Sequence, residues 1–596
     1  MRRDPPTPAV LAVGLLAGLA GCATPLDPSR YAGEDDLRRS IIGSARRELT
    51  DAQIRRPALE TERRPRVRDL ELKPHILEEL ERTSGFEAYS ARPTVLGETL
   101  LGLPQDAVSI SLERVISTTM ANNLNVEFAR LAPAVDEARL VAAQAAFDWT
   151  LFGTLQWNSL DDAGINTASL ATQPSFDQRQ VIGASLGVRQ RLASGGTFTI
   201  SQSLQYQFNT LPGGPVFPNP ANASDLTLQI DQPLLRNFGS DVTLAQIRLA
   251  ENAERDQIQQ LKGTLLDTLT QSETAYWQVV RALSELKIAQ TLLERGIRVR
   301  DVLKQRQEFD TNPSQYAASV AAVESRRGTV IQAENTLRSA SDQLKLLMND
   351  KELTIGSEVL VLPVDKPVDA PVRYSLLDCI TTALANRPEV QRAILAIDDA
   401  STRQLLADNA RLPLLDLRAS VQFQALEDRA DEALVQQAEG RLINYLVGVQ
   451  FEQPIGNRAA EAAFRGRRIE RMQSVIVYRD SVRRIIGELK TALRDIDTNF
   501  RLIEQRRAAR VSAAEEVRTL EVREATLQAL TPEFLDLKLR RQEALANAEI
   551  QEIAAVTQYQ ISVARLYSAM GTALERNGIQ FQAPTLQQAV NEISGR

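Results

Sequence analysis

The feature that most limits how this chain can fold is that most of it is one unit written twice. Ser111-Leu112 recurs as Ser375-Leu376. Met120-Ala121-Asn122-Asn123-Leu124-Asn125-Val126 recurs as Leu384-Ala385-Asn386-Arg387-Pro388-Glu389-Val390 at the same offset, without a gap. Further on, Gln232-Pro233-Leu234 matches Gln453-Pro454-Ile455, and Leu344 to Met348 matches Leu566 to Met570, at a second, shorter and nearly constant offset. Two offsets joined by one step mean a duplication with one insertion, which falls in the first half between about Ser159 and Leu226. A repeat this long is not a short-period solenoid. A whole structural module is doubled, over residues 109–350 and 374–572.

Each module reads helix, strands, long helix, turn, helix. The strand regions, about 150–232 and 414–453, are marked by period two. From Leu415 to Gln424 apolar and polar residues alternate without a fault, and Leu226 to Asp231 does the same. Leu151 to Trp157 and Tyr445 to Phe451 alternate more loosely. The insertion adds Val181 to Leu192, a Ser194-Gly195-Gly196 turn and Thr197 to Phe208, which predict an extra hairpin, followed by a Pro/Gly/Asn loop over Leu211 to Asn222. Whether that hairpin joins the wall or caps it from outside is open at this level.

The long helices fall at 240–349 and 458–571. Ser240 to Glu308 contains no proline, and apolar residues recur at Ile258, Leu261, Leu265, Val279, Leu283, Leu286, Leu293 and Ile297. A helix of that span is on the order of 100 Å long, coiled-coil territory rather than a globular helix. Both long helices break at matched places, Thr311-Asn312-Pro313-Ser314 and Leu530-Thr531-Pro532-Glu533. In each, a capping residue precedes a proline at the first helical position, the start of a returning helix. Two antiparallel coiled-coil hairpins follow.

An ordinary half-buried sheet alternates in the same way as a membrane strand. What favours the membrane is the neighbourhood: short alternating segments, close to the length that crosses hydrocarbon, isolated between rods with no other sheet to pack on. Open sheet edges cannot face lipid, because their N–H and C=O groups go unpaired. Closure therefore calls for several copies around an axis, cyclic symmetry being the simplest solution.

Composition excludes more than it suggests. The 596 residues carry 69 Lys+Arg and 76 Asp+Glu, a formal charge of −7, which argues against a nucleic-acid partner. A content of 43% apolar residues, with two Cys and 26 Pro, excludes collagen, a disulfide scaffold and a wholly disordered chain. One histidine (His75) and two cysteines (Cys22, Cys379) leave almost nothing for a His/Cys metal site or a histidine-based triad. No catalytic residue, metal ligand or cofactor site is predicted. An enzyme would need a carboxylate pair in a pocket-forming context, and none is recognisable.

The N-terminus reads as a processing signal over residues 1–21. Arg2 and Arg3 precede a small-residue and apolar run from Ala9 to Gly21, too short to span a bilayer as a helix. The run closes with Leu19-Ala20-Gly21-Cys22, which resembles the lipobox of bacterial lipoproteins. That resemblance implies a mature chain beginning at a lipidated Cys22, anchored by several acyl chains, with Ala23 at the position associated with sorting to the outer membrane. Cys379, on the apolar face of a predicted short helix, is expected to be a buried small hydrophobe. Residues 22–108 are charged and punctuated by proline, a tether and wrapping segment with short helices predicted at Asp35 to Leu49 and Pro74 to Arg82. His75 is expected to be exposed, and 573–596 reads as a loosely held polar C-terminal tail.

Over roughly residues 109 to 572 the chain resembles the TolC-like outer-membrane efflux channels. The resemblance rests on the duplication, the Ser-Leu…Ala-Asn-Arg-Pro-Glu-Val opening, the Ala410-Arg411-Leu412-Pro413 step before the strand, and the Gln232-Pro233 and Gln453-Pro454 steps from strand to helix. It implies an α + β membrane protein: an outer-membrane β-barrel continued by a long periplasmic α-helical barrel of coiled-coil hairpins, formed by a homotrimer. Its implied role is the exit duct of a tripartite efflux pump or type I secretion system, with a periplasmic adaptor protein and an inner-membrane transporter as partners. Four strands per copy would give the family's twelve-stranded barrel, and counting the inserted hairpin would give more. Adaptors dock at the helical tips, which makes Asn312, Pro313, Thr531 and Pro532 the candidates, although the family's glycine before the returning helix is replaced here. Leu535-Asp536-Leu537 matches the pattern that carries an acidic ring at the periplasmic entrance, so Asp536 is the candidate selectivity residue, favouring cations. The second acidic position of that pattern falls on Leu539. The competing reading is a structural coiled-coil envelope lipoprotein that conducts nothing.

Overall fold

The computed structural model describes residues 58–60, 72–85, 88, 94–99, 102–166, 173–210, 218–305, 313–526 and 531–582. Cys22, Asn312, Asp35 to Leu49, most of the loop after Leu211 and the end of the C-terminal tail lie outside them.

Along the chain, β1 (Ala58–Glu60) is followed by α1 (Pro74–Ser84) and β2 (Ala107–Ile110). The first module opens with α2 (Leu112–Asn122) and α3 (Leu124–Gln144), then runs through β3 (Thr150–Asn166), β4 (Gln173–Arg191), β5 (Thr197–Asn209) and β6 (Ala221–Pro233). After the short α4 (Ser240–Thr243) come α5 (Ala245–Gln305) and its returning partner α6 (Pro313–Met348). β7 (Leu360–Pro363) and β8 (Arg373–Ser375) lead to the second module: α7 (Leu376–Asn386), α8 (Pro388–Asn409), β9 (Leu414–Glu427), α9 (Ala430–Ala438) and β10 (Leu442–Glu452). It closes with α10 (Arg458–Thr526), α11 (Pro532–Met570) and the one-turn α12 (Ala573–Arg576).

The chain divides into two compact units. One holds Val135–Arg255 and Ile394–Val477; the other holds the described parts of Arg38–Ala134, Asp256–Ala393 and Tyr478–Arg596.

In the first unit, one antiparallel sheet of six strands runs in the order β10-β9-β6-β5-β4-β3. The inserted hairpin is thus part of the sheet. β4 and β5 sit between β3 and β6, each paired along its length. The two modules meet where β6 pairs with β9.

In the second unit the duplication is visible contact by contact. α2 and α7 each have 11 residues and begin at a serine cap: Ser111 accepts from the Arg114 N–H and Ser375 from the Asp378 N–H, both at 3.4 Å. Asn123 donates to the carbonyl of Leu347 at 2.8 Å, and its repeat equivalent Arg387 donates to that of Ala569 at 3.3 Å. Arg387 also pairs with Glu389 (2.9 Å) and Glu488 (3.0 Å), a use for the Asn-Arg-Pro-Glu motif. The helices α6 and α11 end at equivalent left-handed residues, Asn349 (φ 46°) and Gly571 (φ 74°). A Cβ at Gly571 would lie 2.9 Å from the Asn386 carbonyl carbon, so this cap tolerates only glycine without movement.

Between these ends the core of the second unit collects Tyr276, Val279 and Leu286 of α5, Leu337 and Leu344 of α6, and Val361 of β7. The Tyr276 hydroxyl donates to Asp365 at 2.7 Å, and burial raises its pKa. Arg326, buried on α6, donates to the carbonyls of Leu292 on α5 and Leu539 on α11 and to Gln542. It needs Gly296 opposite, where a Cβ would come within 2.7 Å of the guanidinium.

Part of the predicted tether is packed rather than loose. Leu80 of α1 buries among Ala514, Val517 and Leu545 of α10 and α11. Arg510, 2% exposed, donates to Glu81 (2.7 Å), Ser84 (3.0 Å) and Glu552. Burial works against its charge, but Glu552 and Glu81 overcome that and hold the pKa above the ordinary guanidinium value. β1 pairs with β8, and β2 runs parallel to β7, so short sheets absent from the sequence reading pin the segment at both ends. His75 is exposed and Cys379 is buried, its thiol pushed up to about 11 by burial and by Asp378. The predicted tail begins later than its sequence suggests: Ala573 and Leu574 are buried against Ile116, Leu265 and Leu269, with Ile579 and Phe581 packed on them. No helix among the described residues is long and apolar enough to cross a membrane.

Candidate functional site

The six-stranded sheet has two chemically distinct faces. Neighbouring residues across an antiparallel ladder share a face, so the pairing register defines each face row by row. One row reads Leu151, Val188, Ile200, Leu228, Val421, Tyr445 from β3 to β10. The next on the same face reads Phe198, Ile230, Ala419 and Val447. These side chains have little to pack on: Leu155 is 80% exposed, Val447 77%, and Trp157, Leu186, Val449 and Phe451 are also exposed. Several of the exposed side chains are aromatic: Trp157 of β3, Tyr206 of β5, and Tyr445 and Phe451 of β10.

The opposite face is polar. Thr154 bonds Ser185 at 2.6 Å, Asn444 donates to Gln424 at 2.7 Å, and Arg418 pairs with Asp231 at 2.6 Å. Perfect alternation in β9 and β6 is what produces this separation, since period two sends successive side chains to opposite faces.

Two polar residues, Gln202 and Ser224, interrupt the apolar face among Leu204, Leu226 and Phe423. The helix α9 covers them. Its Ala433 and Gln437, one turn apart, are buried. Gln437 Oε1 accepts from Ser224 at 2.6 Å and from Gln202 at 3.1 Å, while its amide donates to Gln202 Oε1 at 3.1 Å. The sequence pattern predicts no helix here. The signal was present in β5, where Gln202 breaks the even-numbered run Phe198, Ile200, Leu204, Tyr206, Phe208.

The two strand-to-helix steps differ. Gln232 and Pro233 end β6, and Gln232 is held by the turn of the inserted hairpin: Ser194 Oγ donates to it at 2.7 Å and it donates to the Ser194 carbonyl at 3.2 Å. A Cβ at Gly196 would lie 2.9 Å from the Asp231 carbonyl oxygen as well as 2.5 Å from Gln232 Oε1, so glycine allows this close approach to β6. Gln453 and Pro454 follow β10 with only a 3.5 Å contact from the Gln453 amide to the Pro454 carbonyl, and both are exposed. The second module has no inserted turn to receive them.

At the helical tips, Thr531 caps α11 by accepting from the Phe534 N–H at 3.4 Å, with Pro532 at the first helical position. Pro313 is the first residue of α6. Asp536 is exposed and pairs with Arg540 one turn on, at 2.9 Å, while its neighbour Leu535 is buried with Val299 and Leu303. Arg540 is the residue the sequence reading missed beside Asp536, and its i,i+4 spacing was the available signal.

No described protein family and no curated protein matches the chain by sequence. Solved structures do match it in fold. The Campylobacter jejuni CmeC outer membrane channel superposes with a TM-score of 0.57 at 14% identity, covering 84% of this chain and 95% of that one. The outer membrane protein VceC of Vibrio cholerae gives 0.55 at 12% identity, over 77% of this chain and 96% of its own. The open state of the Neisseria gonorrhoeae MtrE outer membrane channel gives 0.52 at 13%, over 78% and 89%. The chain therefore has the TolC-like fold, an α + β architecture shared with outer-membrane channels.

Proposed function

We propose that this chain is the outer-membrane exit duct of a tripartite efflux pump or type I secretion system. It conducts substrate passively from a periplasmic adaptor and an inner-membrane transporter to the exterior, and it carries no active site. The observation that carries this reading is the sheet itself: an apolar face that no core covers outside the patch under α9, one polar face, and two open edges. That combination is unstable in water and stable only in a closed wall with lipid outside and water inside. The fold shared with outer-membrane channels supports it.

The working form is a homotrimer anchored by acyl chains on Cys22, with the long hairpins in the periplasm. Asn312, Pro313, Thr531 and Pro532, at the turns of the hairpins, are the adaptor-docking candidates. Asp536, with Arg540 as its counter-ion, is the candidate for cation preference at the entrance.

The test is planar-bilayer recording on the purified full-length protein, with its mass in detergent measured by light scattering. Stepwise conductance from a trimer is expected. A monomer that stays water-soluble once its lipid is removed, and that conducts nothing, is the behaviour of a bracing lipoprotein and would refute the duct.

A further inference from the structure

The sheet leaves two backbone edges unused, β3 and β10. Both carry exposed apolar side chains on the same face: Leu151, Leu155 and Trp157 on one, Tyr445, Val447 and Phe451 on the other. Against hydrocarbon every unpaired N–H and C=O on these edges costs several kcal/mol. We infer that β3 of one copy pairs with β10 of the next, so that three six-stranded sheets close one barrel of eighteen strands with the inserted hairpin in its wall. This rests on the trimeric duct proposed above.

Three features fit this seam. The first is direction. All five pairings inside the sheet are antiparallel and the strand number is even, so β3 and β10 run in opposite senses. Copies joined there keep the pattern antiparallel throughout.

The second is register. Keeping the apolar face continuous requires odd-numbered residues of β3 to face odd-numbered residues of β10. Setting the strand ends flush, Thr150 opposite Glu452, satisfies this and fixes the rest. Leu151 meets Phe451, Leu155 meets Val447 and Trp157 meets Tyr445 on the lipid side; Asn158 meets Asn444 and Leu160 meets Leu442 on the other. Each contact joins side chains of one kind, the pairs that favour strand association.

The third is tilt. The row that starts at Leu151 passes Val188, Ile200, Leu228 and Val421 and leaves the sheet at Tyr445. At the flush seam Tyr445 meets Trp157 of the next copy, so the row climbs from Leu151 to Trp157 on each passage. With about 3.3 Å per residue along a strand and about 4.8 Å between strands, that climb over six strands gives a tilt of roughly 35°, within the range of closed barrels. Slipping the seam by two residues one way flattens the tilt to about 25°. Slipping it the other way sets Thr150 opposite Pro454, beyond the end of β10.

The consequence is width. Eighteen strands at this tilt make a wall about 34 Å across, against about 22 Å for twelve, and a wall of that size encloses an aqueous lumen instead of filling with side chains.

The test pairs Asn158→Cys with Asn444→Cys on the water-facing side of the seam. Mild oxidation is expected to convert the double variant into reductant-sensitive covalent dimers and trimers on a denaturing gel, with neither single variant doing so. Asn158→Cys with Gln450→Cys, out of register, should not cross-link; preferential cross-linking of that pair overturns the register. Electron cryomicroscopy of the unmodified trimer counts the strands independently of any substitution. A trimer whose barrel closes on twelve, with β4–β5 outside the wall, overturns the proposal and leaves the duct intact. A monomer in detergent overturns both.

Discussion

Replacing Val447 with arginine separates lipid from water as the medium of the apolar face. Within a single sheet Val447 is 77% exposed and packs on almost nothing. If that face met water, Val447→Arg would change stability by no more than about 0.5 kcal/mol, as for other exposed sites. If it meets hydrocarbon near the middle of the band, an arginine costs about 2–4 kcal/mol. That is roughly a thirty- to thousand-fold shift in the folding equilibrium. Gln450→Arg is the control: it lies on the same strand, is exposed, and projects from the polar face. Both variants place an arginine on the same strand, one on each face; the loss of a β-branched residue at 447 accounts for at most about 1 kcal/mol of any difference. The assay is urea unfolding of the protein reconstituted in phospholipid vesicles, read by tryptophan emission, with Trp149 and Trp157 exposed at the sheet as reporters. A large cost for Val447→Arg with none for Gln450→Arg is expected. Equal costs, or a larger one for Gln450→Arg, would refute the assignment of faces and the barrel with it.

Gln437→Leu should lower stability by about 1–3 kcal/mol, because it strips Gln202 and Ser224 of their covering amide; thermal unfolding in detergent measures it. Arg510→Ala should release α1, leaving Glu552 with Arg507 alone in place of two guanidinium partners. A loss of about 3 kcal/mol would speed hydrogen exchange of the Pro74–Ser84 amides by two orders of magnitude, with the sheet unchanged. Buried Glu273, which accepts from Asn577 at 2.9 Å, has its carboxyl pKa raised by burial, against the opposing pull of Arg576. Stability therefore falls as pH rises from the ordinary glutamate pKa through the raised value, and is held in full below both. Glu273→Gln should raise the melting temperature at pH 7 and lose that advantage below the ordinary glutamate pKa, as calorimetry at the two pH values would show. Asp536→Ala should raise single-channel conductance at negligible cost in stability, since its i,i+4 pair with Arg540 on an exposed face contributes only a few tenths of a kcal/mol. Unchanged conductance and cation selectivity would remove Asp536 from the entrance.

Local signals were legible where the physics is local. Caps at Ser111, Ser375 and Thr531 form as their side chains and positions require, because a capping bond spans only three residues. The prolines at 313 and 532 open returning helices for the same reason. Alternation located every strand of the sheet, although β3, β4 and β6 run further than their cleanest stretches. The repeat matches Asn123 with Arg387, and in the structure these different side chains reach matched carbonyls, Leu347 and Ala569. Long-range partners were not legible. Nothing near Arg510 in sequence announces Glu81 or Ser84, and nothing near Gln437 announces Gln202.

Sequence alone determined the duplicated modules, the long helices with their turn points and the two-faced strands, because helix period, strand period and end caps are set within a few residues. Only the tertiary structure decided that the inserted hairpin lies inside the sheet, that α9 covers its two polar interruptions, and that the N-terminal segment is pinned by Arg510. Those outcomes depend on which backbone edge or buried charge finds a partner far away along the chain, and that competition is settled by packing and hydrogen bonding in three dimensions rather than by any local pattern.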